Sequence, residues 1–98
     1  MADESEPSQQ AFWSRADEVI ALANQQKQST TVGQVSGSLM YAAARFNAFN
    51  VANRANDAEH MKRDRDAAIE YFTGEYRKML IENLDDYIEN FDEYAPRS

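Results

Sequence analysis

The sequence has no cysteine, three glycines, two prolines and one histidine in 98 residues. Without cysteine there is no disulfide framework, no thiolate nucleophile and no cysteine-rich zinc site. The prolines stand at positions 7 and 96, so almost the whole chain is free of strong helix breakers. No apolar run approaches the roughly 20 residues that span a bilayer. The opening MADESEPSQQ is acidic, where a secretory signal is basic and then apolar. These absences predict a cytoplasmic protein without a membrane role.

What is present is a small globular composition. With 43% apolar and 28% charged residues, the chain is too hydrophobic for a disordered acidic protein and too polar for a membrane protein. Its length suits one domain with a modest core.

The net charge of -7 is unevenly placed. Residues 1–8 contribute -3, residues 9–78 are close to neutral at +1, and residues 79–98 contribute -5. This balance argues against binding nucleic acid, which is held largely by Lys and Arg on phosphate. The one basic cluster, Lys62-Arg63-Asp64-Arg65-Asp66, carries its own counter-charges and reads as a solvated helix face.

Hydrophobic spacing predicts three helices. Residues 1–7 read as a disordered acidic tail, and residues 8–95 as a single helical domain. From Ser8 as N-cap, a first helix runs from Gln9 to about Lys27, with Phe12, Ala16, Val19, Ile20 and Ala23 on one face. Thr31-Val32-Gly33-Gln34 has the capping-box form that opens a second helix. That helix reaches about Arg54, with Val35, Leu39, Ala42, Phe46 and Phe49 as its stripe. Asn56-Asp57 then supplies a stop and a new cap, and the short turn predicts antiparallel packing of the third helix on the second.

The third segment, Ala58 to Tyr94, keeps helical spacing through Ile69, Phe72, Tyr76, Met79, Leu80, Leu84, Tyr87, Phe91 and Tyr94. As one helix it would be roughly 55 Å long, against about 30 Å for each of the first two. It would overhang them. Two resolutions are open: a kink at Gly74, where a helix is cheap to bend, or a homodimer in which a second copy covers Leu84, Tyr87, Ile88 and Phe91.

Three segments carry a resemblance: Phe12-Trp13-x-Arg15-Ala16-Asp17, the run from Tyr41 through Arg45-Phe46-Asn47 to Phe49, and the stretch from Tyr76 through Leu84-Asp85-Asp86-Tyr87 to Phe91. Together they resemble the small bacterial domain-of-unknown-function family numbered 3144, over nearly the entire chain. That resemblance implies no activity, substrate or catalytic residue.

Catalysis has little to work with. His60 lies in a highly charged first turn and reads as a solvated surface histidine, with no nucleophile or acid placed to complete a triad. Glu82, Asp86, Glu89 and Glu93 share one face of a continuous helix, but a straight row does not wrap a cation. No cofactor and no metal site is expected.

The expected fold is therefore all-α, a small helical bundle of three main helices, the C-terminal one long, with Gly74 marking where it could kink. The expected function is that of a non-enzymatic protein-interaction module. Its candidate surface is Glu82, Asp86, Tyr87, Glu89, Phe91, Glu93 and Tyr94, set against a basic protein or a second copy of itself. The alternative is a small-molecule-binding or catalytic protein with a polar patch at Tyr41, Arg45 and Asn47.

Overall fold

The computed structural model describes residues 5–94, and among these the only regular secondary structure is helical. Four helices follow in order: α1 Ser5–Gln26, α2 Val32–Arg54, α3 Ala58–Glu89 and the single turn α4 Phe91–Tyr94. The fold is all-α with three main helices and a long third one. Residues 1–4, the greater part of the segment read as a disordered tail, lie outside the described residues. The helix opens at Ser5 rather than after Ser8. Pro7 is compatible with that, because a first-turn residue needs no intrahelical N–H bond.

The chain divides into two compact units, Met1–Phe46 and Asn47–Ser98. In the first unit, α1 ends in a tightened turn: Gln28 N–H donates to the Gln25 carbonyl at 3.2 Å and Ser29 N–H to the Gln26 carbonyl at 3.0 Å. Thr31 then opens α2 as expected. Its hydroxyl accepts from the Gln34 N–H at 3.1 Å, and its carbonyl accepts from the Val35 N–H at 3.1 Å. The reciprocal half of the capping box is diverted, because the Gln34 side-chain amide oxygen accepts from the Thr30 hydroxyl instead.

Burial in this unit is confined to the predicted faces. Val35 is buried at 6% exposure; Ala16, Ala23 and Leu39 are half-buried. Ala23 and Val35 stand equally far on either side of the turn, where an αα-hairpin first closes. Phe12, Val19, Ile20 and Phe46, predicted for the same stripes, are exposed.

The second unit begins with the last turns of α2. Asp57 caps α3, its Oδ1 accepting from the His60 N–H at 2.9 Å. His60 answers in the other direction, its Nδ1 accepting from the Asn56 N–H at 3.1 Å. Its Nε2 meets Asp64 Oδ2 at 3.2 Å, so the imidazole is fastened on both sides and half-buried. The reading of His60 as a merely solvated residue is corrected. It closes a capping box displaced by one residue, with the imidazole in the place Glu or Gln ordinarily takes.

α3 passes through Gly74 as one helix of 32 residues, about 48 Å long, against about 33 Å for α1 and 35 Å for α2. A Cβ added at Gly74 would meet nothing within 4 Å among the described residues, so none of them requires glycine there. The helix stops at Glu89, short of the expected Tyr94, with Asn90 as its C-cap. Its last turn holds no basic residue, and carboxylates there oppose the helix dipole. Phe72 is half-buried, but Ile69, Tyr76, Met79, Leu80 and Leu84 are exposed along the predicted stripe.

The cap gives a prediction. Asp57→Ala should lower the stability of the protein by about 1 kcal/mol while Asp57→Asn stays close to wild type, both read from urea unfolding followed by circular dichroism.

Candidate functional site

Spacing along α3 separates its two conspicuous features. At about 100° per residue, Ile69, Tyr76, Leu80, Leu84 and Tyr87 form one stripe. Glu82 and Glu89, five residues before and two after Tyr87, fall on roughly the opposite side. Carboxylates and aromatics therefore do not mingle as a continuous reading to residue 94 suggests. Glu93 belongs to α4, beyond the Asn90 break, and leaves the row.

The helix end is built around Asp86. Asn90 N–H donates to the Asp86 carbonyl at 2.9 Å, and the Asn90 side-chain amide donates to that carbonyl at 3.2 Å and to the carboxylate at 2.9 Å. The chain then turns into α4, held by the Glu93 and Tyr94 N–H groups on the Asn90 carbonyl at 2.9 and 3.1 Å. In a continuous helix Tyr94 would stand about 12 Å along the axis from Asp86. The break instead brings its phenol to the Asp86 carboxylate and its ring to Tyr87, with centroids 4.6 Å apart at 31°.

Asp86 is thus occupied within its own chain. The hydrogen bond to its carboxylate, reinforced by that group's charge, holds the Tyr94 phenol above the ordinary tyrosine range. Tyr87, Glu89 and Phe91 are exposed. Asn90, which makes this turn, is absent from the sequence-level candidates; its one visible signal is an Asn four residues after an Asp at a helix end.

The polar patch on α2 does not assemble. Arg45 reaches back one turn, its Nη2 donating to the Tyr41 hydroxyl at 3.5 Å, with the guanidinium carbon 5.4 Å from the ring centroid. Asn47 follows Arg45 by two residues, and residues two apart on a helix do not face each other. It is half-buried while Tyr41 and Arg45 are exposed.

Elsewhere the charges pair locally. Lys62 lies 3.6 Å from Glu59, Arg65 2.9 Å from Asp66, and Lys78 3.0 Å from Glu75, all exposed pairs of small energetic weight. Among the described residues no three His, Asp or Glu side chains converge to hold a metal ion, and no helix is long and apolar enough to cross a membrane.

A model of the family described as "Protein of unknown function (DUF3144)" matches residues 12–88. The chain belongs to that family. A solved structure, the NMR structure of the protein NB7890A from a Shewanella species, is similar at 44% identity, over 85% of this chain and 88% of that one, with a TM-score of 0.72. No curated protein matches. The resemblance carried by the Phe12, Tyr41 and Tyr76 segments is thereby confirmed, and the family match runs through both units.

The Asp86–Tyr94 contact is testable by titration. The neutral phenol is the form that the fold favours. Its stabilising effect is therefore complete below the ordinary tyrosine range and is lost as pH rises through Tyr94's own higher range. Asp86→Asn should bring the NMR titration midpoint of Tyr94 down toward the ordinary tyrosine range; an unchanged midpoint rules out Asp86 as the cause.

Proposed function

We propose that this member of the DUF3144 family is a non-enzymatic interaction module of the cytoplasm, which binds a protein surface through the apolar stripe of α3. The observation that carries this reading is the exposure of Leu84, Tyr87, Ile88 and Phe91 on the last turns of α3 and the turn beyond it, with Ile88 at 72%. Soluble proteins seldom leave so contiguous an apolar surface unused. Large aromatic and aliphatic side chains of this kind act as anchors in protein interfaces.

The acidic residues take a secondary part. Glu82 and Glu89 lie behind the stripe, where they keep the outer face solvated, and Asp86 is committed to Asn90 and Tyr94. A basic partner gripped by the carboxylates themselves is the competing version. Catalysis or small-molecule binding at Tyr41, Arg45 and Asn47 has less support, since these side chains do not share one face.

The two versions respond oppositely to substitution. Capture of partners from the native host should be lost with Leu84→Glu, in a protein whose helical circular dichroism is retained, and should survive the double change Glu82→Gln, Glu89→Gln. Loss in the double variant instead would support a basic partner and remove the apolar stripe as the contact.

A further inference from the structure

We infer that α4 is a strap that folds back over Tyr87 and withholds the end of the α3 stripe until the chain straightens at Asn90; this rests on the interaction reading above and adds its regulation. Every residue concerned belongs to the second unit.

The masked residue is Tyr87. The Tyr94 ring lies against its ring, with centroids 4.6 Å apart and planes 31° from parallel. Tyr87 is 49% exposed, whereas Ile88, next to it in the chain, is 72% exposed. Anchor residues act by entering a pocket that closes round them. A partner closing round Tyr87 therefore has to displace Tyr94 from one face of the ring.

The polar contacts that hold the strap converge on Asp86. Its carboxylate accepts from the Asn90 side-chain amide at 2.9 Å and from the Tyr94 phenol. Bonds of this kind at the surface replace bonds to water and are individually modest. Together with one ring pair they make a latch that a binding partner can outcompete.

Release needs little rearrangement. Asn90 stands at φ -113° and ψ 36°, away from the helical values of about -63° and -42°. On either side of it the helical pattern is already kept: the Asn90 N–H donates to the Asp86 carbonyl at 2.9 Å and the Tyr94 N–H to the Asn90 carbonyl at 3.1 Å. α4 is itself helical, so rotation at Asn90 carries the chain from folded back to straight.

Straightening also extends the surface. Phe91 and Tyr94 follow Tyr87 by four and seven residues, the spacing of a single helical face. In a continuous helix the stripe of Ile69, Tyr76, Leu80, Leu84 and Tyr87 would run on through two more aromatic rings. The apolar pattern through residue 94 is that of the released state, and the turn at Asn90 is that of the held state. A partner that reads the longer stripe shifts the balance by its differential affinity for the two.

Two variants release the strap by different routes. Asn90→Ala removes the amide from Asp86 and puts the best helix former in place of a residue that favours helix ends; Asp86→Ala removes the carboxylate and leaves every ring in place. In both, the Cα chemical shifts of residues 90–94 should become helical, and the nuclear Overhauser effects between the Tyr87 and Tyr94 rings of the wild type should disappear. The uncharged dye Nile red should then bind about threefold tighter or more, because the held fraction is lost, and adding Leu84→Glu should abolish the gain. Ring contacts that are absent from the wild type, or that persist in both variants, overturn the strap. So does a dye affinity that stays level or falls once the contacts are gone, or a gain that survives Leu84→Glu. Such a failure leaves the interaction reading to the capture comparison of Leu84→Glu with wild type, whereas failure of that comparison with the strap still opening removes the interaction reading alone.

Discussion

A helix in water is held less by its own hydrogen bonds than by something laid against its apolar side. α3 is longer than α1 or α2, and its apolar side chains are exposed along most of its length. Two polar residues on its stripe, Thr73 and Asn83, bond inward to its own carbonyls, and Glu82 and Glu89 stand on the opposite side. The first unit shows the same exposure: Val35 is buried and Ala16, Ala23 and Leu39 are half-buried, while larger apolar side chains on the same stripes are exposed. The small residues close the hairpin; the large ones project beyond it.

Local hydrogen bonds fix where each helix starts and stops. Thr31 and Asp57 satisfy amide donors that a helix start leaves without partners, and Asn90 turns back on Asp86 at the end of α3. These contacts are individually modest, yet they fix where α2 and α3 begin and place Tyr94 on Tyr87. At Thr31, Asp57 and Asn90 polar side chains start or stop helices. Arg45 stacked on Tyr41 and His60 held between Asn56 and Asp64 are both engaged along their own stretch of chain.

Family membership extends this picture without adding an activity. The resemblance at Phe12-Trp13, at the Tyr41–Phe49 run and along the stretch from Tyr76 to Phe91 falls on the apolar stripes and their borders. The large apolar side chains of these segments are exposed, and the similar Shewanella structure shares the fold at 44% identity.

The three main helices, the start of α2 at Thr31–Val32 and the start of α3 after Asp57 were legible from residue order alone, because caps and periodicity are properties of neighbours three and four apart. Continuity through Gly74 was not, since a glycine permits a kink without requiring one. The end of α3 was also hidden: apolar spacing carries on to Tyr94, and only the folded chain shows Asn90 drawing the backbone round. His60 was misread because its charged neighbours signal exposure, while its role depends on an amide four residues earlier. Local order thus determined which segments are helical and which faces are apolar. Only the folded chain decided where α3 ends and which side chains it holds, because contacts such as Asn90 on Asp86 and Tyr94 on Tyr87 are not encoded in helical periodicity.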